Sequence, residues 1–120
     1  MARVKVTISV SPKNACENLY IVGSASSIGY WNTRKATALK YDENTNSFKA
    51  IKFFPEGEKV EYKFIRSKDW YGVEKGIWNE EILNRIVVPS KGLNLNLTIE
   101  TFRYQIKLIF YLILVFLLLN

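Results

Sequence analysis

Four aromatic side chains stand outside the apolar alternation of this 120-residue sequence: Trp31, Trp70, Tyr71 and Trp78. The first of them closes the segment LYIVGSASSIGYWN, Leu19–Asn32, and the others follow in stretches containing Gly, Lys and Asp. An apolar run that ends in a small-residue loop leaves the Trp31 ring only partly packed, and a flat ring at the surface points to a partner. Flat rings beside hydrogen-bonding groups suit sugar chemistry. A pyranose has an apolar C–H face and a rim of hydroxyls, so recognising it takes an aromatic plane with polar groups at its edge. Lys63 can donate at such an edge, and Asn84 can donate and accept. The plainer role for one or two of these rings is to cap the open end of a β-sandwich core.

Other chemistries lack their residues. The sequence has no histidine, which removes the usual general base and the commonest metal ligand. Its single cysteine, Cys16, has no cysteine to pair with and no histidine to activate it. Glu80 and Glu81 are neighbours, so on an extended backbone they diverge and do not form a facing carboxylate pair. No catalysis, metal or cofactor is expected. With 17 Lys+Arg against 11 Asp+Glu the formal charge is +6, which permits a polyanion partner without requiring one. Single-stranded nucleic acid is therefore the competing ligand, since exposed rings also stack bases. The lysines are scattered, however, with no basic run beside Trp31 and Trp78.

The elements that must position these side chains are strands. Val4, Val6, Ile8 and Val10 alternate with Arg3, Lys5, Thr7 and Ser9, as in a strand with one buried face. Leu19–Val22 is wholly apolar and suits a central strand. Residues 46–53 follow the turn DENTN and pair as a hairpin with 36–41. Val60, Tyr62 and Phe64 share one face of a strand after the turn Pro55–Glu58. A short strand, Arg85–Val88, stops at Pro89, and Leu93, Leu95, Leu97 and Ile99 form the last alternation. Regular turns and the absence of a helical period predict an all-β, antiparallel, immunoglobulin-like β-sandwich of about seven strands.

Residues 1–102 form the expected domain, and residues 103–120 a separate hydrophobic C-terminal tail. Leu108–Leu119 is continuously apolar, preceded by Arg103 and Lys107. As a helix it covers only ~18 Å of a ~30 Å hydrocarbon core. Three readings stand: a short membrane anchor with the basic pair at its polar end, an element folded onto the sandwich, or a stretch foreign to the protein from a shifted reading frame. The beginning MARVKVTISV alternates and has no apolar signal core, so with a free thiol a cytoplasmic location is expected. Asn96-Leu97-Thr98 matches a glycosylation acceptor but lies in the last strand, where an ordinary strand role is expected.

Three segments in order carry a resemblance: ENLYIVGSASSIGYWN (Glu17–Asn32), PEGEKVEYKFI (Pro55–Ile65) and WNEEILNRIVVP (Trp78–Pro89). From about Val4 to about Ile99 the sequence resembles the family 20 carbohydrate-binding module, the starch-binding domain attached to many amylases and glucoamylases. The resemblance implies binding of α-1,4-glucan, starch or glycogen without catalysis, and a monomer is expected. At the family's first site two tryptophans stack on consecutive glucose units while a lysine and an asparagine bind hydroxyls. The matching positions are Trp31, Trp78, Lys63 and Asn84. The Trp78–Asn84 spacing is one residue longer than the family's, Leu83 stands where the family has proline, and Asn79 where an acidic residue is common. Trp70 and Tyr71 are additional rings able to extend this site. The second site is implied to be weakened, because its aromatic positions fall on Ala15 and Phe48, with Tyr41 as a substitute for its tyrosine. A membrane-tethered glucan adaptor is the reading that combines the module with the tail.

Overall fold

The computed structural model describes residues 2–103 and 108–119. Lys107, one of the two basic residues of the expected anchor, lies outside them. Nine strands are described: β1 (Arg3–Pro12), β2 (Leu19–Gly23), β3 (Thr37–Asp42), β4 (Ser47–Pro55), β5 (Val60–Ile65), β6 (Glu74–Lys75), β7 (Arg85–Val87), β8 (Leu93–Ile99) and β9 (Thr101–Phe102). One helix, α1 (Leu108–Leu119), follows them. Seven strands form a curled sheet in the order β7-β5-β2-β3-β4-β1-β8, and β6 pairs with β9 in a small separate ribbon.

β3 makes the curl possible. Its first half pairs with β2, Thr37 opposite Ile21, and its second half pairs with β4, Lys40 opposite Lys49. One strand thus serves both layers of a sandwich. The main core lies between them: Val6, Ile8 and Val10 of β1 meet Leu19 and Ile21 of β2, Phe54 of β4, and Tyr62 and Phe64 of β5. The all-antiparallel expectation needs one correction. β8 runs parallel to β1, from Val6 opposite Leu93 to Pro12 opposite Ile99. The chain crosses from β7 at one edge of the sheet to β8 at the other, and alternation carries no signal of which neighbour a strand chooses. The two edge strands are also linked, since Arg85 Nη2 of β7 donates to the Thr98 carbonyl of β8 at 2.7 Å.

The wholly apolar β2 has a reason. Leu19 and Ile21 face the main core, while Val22 turns outward into a second cluster with Ala36, Ile65 and Val73. That cluster is the floor beneath the loops carrying Trp31 and Trp70. Gly23, at the end of β2, lies so close to β5 that an added Cβ would sit 2.2 Å from the Glu61 carbonyl. Only glycine allows that approach.

Candidate functional site

The loop after β2 presents Trp31 through an unusual backbone. Gly29, Tyr30 and Trp31 have φ of 94°, 50° and 63° in succession. Left-handed backbone is ordinary for glycine and strained for an aromatic residue. Hydrogen bonds hold it: Tyr30 N–H donates to the Ala25 carbonyl at 3.2 Å, Trp31 N–H to Gly23 at 2.8 Å, and Asn32 N–H to Gly29 at 2.9 Å. The Asn32 side chain then accepts from Arg34 N–H at 3.1 Å and starts a 3₁₀ turn, Thr33–Lys35. Trp31 is left half-buried.

Trp70 comes from a second 3₁₀ turn, Trp70–Gly72, capped by Asp69, whose Oδ1 accepts from Tyr71 N–H and Ser67 Oγ, each at 2.9 Å. Its ring meets Trp31 with centroids 6.2 Å apart and planes tilted by 37°. The pair opens onto a shallow cleft of about 310 Å³, completed by Lys63, Val73, Glu81, Asn84 and Arg103. Four of the six residues expected from sequence therefore share one cleft: Trp31, Lys63, Trp70 and Asn84. Trp78 and Tyr71 are each 72% exposed and lie outside its lining, Trp78 on the rim loop and Tyr71 beside Trp70.

The rim loop between β6 and β7 is tied down from several sides. Lys63 Nζ donates to the Ile82 carbonyl at 2.6 Å. Asn79, at φ 64°, donates from Nδ2 to the Phe102 carbonyl at 2.7 Å. Glu80 Oε1 accepts from Trp78 N–H at 2.9 Å, and its side chain fills the space where a Cβ on Gly76 would stand. Lys75, buried, pairs with exposed Glu81, and Arg103 Nη2 lies 3.5 Å from the same carboxylate. The hydrogen bond from Lys75, with the Lys63 and Arg103 charges nearby, holds the Glu81 carboxyl below its ordinary value. At the loop's end Arg85 grips buried Glu74 through three contacts of 2.9–3.1 Å, and Glu74 also accepts from Phe64 N–H at 2.8 Å. Asn84, next to Arg85, thus departs from a fixed point. A buried pair of this kind costs several kcal/mol if one partner is removed, roughly 3–5 kcal/mol in general.

The second group of aromatic positions also converges. Ala15, Tyr41 and Phe48 line a groove of about 320 Å³ together with Asn14, Cys16 and Asn46. The Tyr41 and Phe48 rings meet edge-on at 5.1 Å, and the Tyr41 hydroxyl donates to Asn46 Oδ1. Phe48 is only 5% exposed and belongs to the main core, so Tyr41 is the ring this groove offers to solvent. Burial raises the pKa of the Cys16 thiol, against an opposing effect of Arg66, which keeps it a poor nucleophile. Among the described residues no cluster of His, Cys, Asp or Glu could hold a metal ion. Sequence reasoning missed Glu81, Val73 and Arg103 in the cleft. Arg103 follows the last strand, where alternation has ended, and only its nearness to β9 brings it to the site.

The starch binding domain family matches residues 3–97. The chain belongs to that family. Starch-binding domains are non-catalytic modules carried by larger enzymes. A cyclomaltodextrin glucanotransferase of Geobacillus stearothermophilus is 32% identical over 72 residues, which is 58% of this chain and 10% of that one. The chain thus spans about a tenth of that relative. A glycoside hydrolase family 15 glucoamylase from Hypocrea jecorina superposes with a TM-score of 0.63 at 23% identity, covering 82% of this chain and 17% of its own. The family 20 module of a maltotetraose-forming amylase from Pseudomonas saccharophila STB07 gives 0.60 at 21% identity, covering 79% of this chain and 99% of its own. Those structural likenesses establish the all-β fold. Trp31, Lys63, Trp70, Trp78 and Asn84 all fall within the matched starch-binding segment, and Arg103 falls beyond it.

Proposed function

We propose that this starch-binding domain holds α-1,4-glucan without catalysis by stacking glucose rings on the tilted Trp31–Trp70 pair. Lys63 and Asn84 bind hydroxyls at the edge of the cleft, and Trp78 on the rim loop receives the glucose unit that follows. The observation that carries this reading is the 37° tilt of two rings 6.2 Å apart over a cleft lined by Lys63 and Asn84. An α-glucan is a curved chain, so successive sugar faces turn through an angle, which two tilted planes follow better than one flat plane. A rigid platform of this kind binds by preorganisation, because the strained loop is set before the sugar arrives. The groove at Tyr41 offers a single exposed ring and is the weaker of two sites, which limits avidity.

Calorimetric titration with a cyclic α-glucan tests this. Trp31→Ala and Trp70→Ala each lose at least about tenfold in affinity, the equivalent of ~1.4 kcal/mol, with the circular dichroism of the fold unchanged. Unchanged affinity in both variants overturns the site. The same titration separates sugar from nucleic acid, because glucan affinity stays level as salt rises whereas polyanion binding falls steeply.

A further inference from the structure

Beyond its glucan site, we propose that this protein is held at a lipid bilayer by α1, embedded in a single leaflet. All twelve residues of α1 are apolar, with the Tyr111 hydroxyl the one polar group among their side chains. Of the eight side chains described, Leu112–Leu119, seven are exposed and Val115 is partly so. The helix has no polar face. That decides among the occupants able to cover it. Packing against a protein surface, or against a second copy, covers one stripe of a helix and leaves the opposite side in water. An amphipathic helix tolerates that arrangement, and α1 does not. A medium that is apolar in all directions satisfies every face at once, and hydrocarbon is such a medium.

Length and charge set the mode. No described helix is long and apolar enough to cross a membrane. Twelve residues reach ~18 Å, against ~15 Å for one half of a ~30 Å hydrocarbon core. Arg103 and Lys107 precede the helix, and the whole chain carries +6, which favours the anionic headgroups such a helix would enter through. The tether is short. Arg103 is pinned to the sandwich, its N–H donating to the Val73 carbonyl at 2.8 Å and its carbonyl accepting from Arg66 Nη2 at 3.1 Å. Four residues lie between it and Leu108, so five Cα-to-Cα steps give at most ~18 Å of extended chain. Arg103 also lines the glucan cleft, so a molecule held by α1 carries that cleft close to the membrane surface.

Flotation of the full chain with phosphatidylcholine vesicles, and with equimolar phosphatidylcholine–phosphatidylserine vesicles, tests the proposal without any glucan. The protein is expected to rise with both kinds, more completely with the anionic ones, and to stay bound in concentrated salt. The doubly substituted Leu114→Lys, Leu117→Lys chain is expected to lose at least about tenfold in vesicle binding. Its binding of cyclic α-glucan stays unchanged, which shows that the domain is folded. Three results overturn the proposal. The full chain remains in the dense fractions, salt alone releases it, or it forms a lipid-free oligomer that ignores vesicles.

Discussion

Tyr30 and Trp31 share a backbone conformation that neither side chain favours, and they differ in what the strain obtains. At φ 50° and 63° each is a bulky L-residue in the left-handed region, a state that costs roughly 1–2 kcal/mol per residue. Trp31 is turned by that backbone onto the cleft and against Trp70. Tyr30 is 71% exposed and lies outside the cleft. Strain at Trp31 therefore places its ring on the cleft, and strain at Tyr30 is the cost of reaching it. Replacing Tyr30 with glycine removes the penalty while keeping every backbone hydrogen bond of the loop. Tyr30→Gly is expected to stabilise the fold by about 0.5 kcal/mol, the relief of strain being partly offset by the added freedom of glycine in the unfolded chain. Glucan affinity stays within about twofold, since no ring of the cleft is lost. Denaturant titration and calorimetry read the two effects separately. The sequence showed a small-residue loop ending in an aromatic pair, but the sign of φ at a non-glycine residue is not written in its side-chain type.

The rim loop between β6 and β7 is an element held by charge, and its ion pairs differ in how they respond to acid. Glu81 has its carboxyl pKa lowered by the Lys75 hydrogen bond and by the neighbouring cations. A lowered folded pKa means that its contribution is complete above the ordinary glutamate value of about 4.3 and disappears as pH falls through the lower folded value. With no histidine in the chain, no side-chain type present has its ordinary pKa between about 5 and 8. Glucan affinity is accordingly expected to be level over that interval and to weaken below about pH 4, as the loop carrying Trp78 and Asn84 loosens. Glu81→Gln shows a several-fold weaker affinity at neutral pH and a flatter acid limb, measured by calorimetry with circular dichroism at each pH. The effect is small because Glu81 is exposed and solvent screens the pair. Little of this loop was legible beforehand. Alternation revealed β1, β5 and β8, and an apolar run revealed β2, because burial on one face or both leaves a period in the sequence. The rim loop has no period. Its shape comes from long-range ties such as Lys63 to Ile82 and Asn79 to Phe102, which bring together residues far apart in the chain. The meeting of Trp31 with Trp70 was hidden for the same reason.

At the scale of the molecule, the buried core extends past the segment that marks the family. The family matches residues 3–97, yet Ile99 and Phe102 beyond it are fully buried, and Thr101 is nearly so. Ile99 continues β8 beside Pro12 of β1, and Phe102 closes the ribbon with Glu74 while packing into the main core. Arg66 stacks its guanidinium over the Phe102 ring at 5.8 Å, and the Phe102 carbonyl receives Asn79. One aromatic residue thus joins the core, the small ribbon and the rim of the cleft. A fully buried phenylalanine typically costs 3–5 kcal/mol on truncation to alanine, out of a total stability of roughly 5–15 kcal/mol for a domain. Phe102→Ala is therefore expected to lower the unfolding free energy by about 3–4 kcal/mol, and to weaken glucan binding as well where the backbone that receives Asn79 settles into the cavity. A chain ending at Arg103 keeps the whole core and should unfold cooperatively, at the same denaturant midpoint as the full chain. A chain ending at Leu97 loses Ile99 and Phe102 together, and the sum of two such costs approaches the entire stability. Its denaturation curve is expected to lose the sharp transition. A cooperative transition at an unchanged midpoint in the shorter chain would instead place the end of the domain at the family boundary, and would make β9 an accessory of the site.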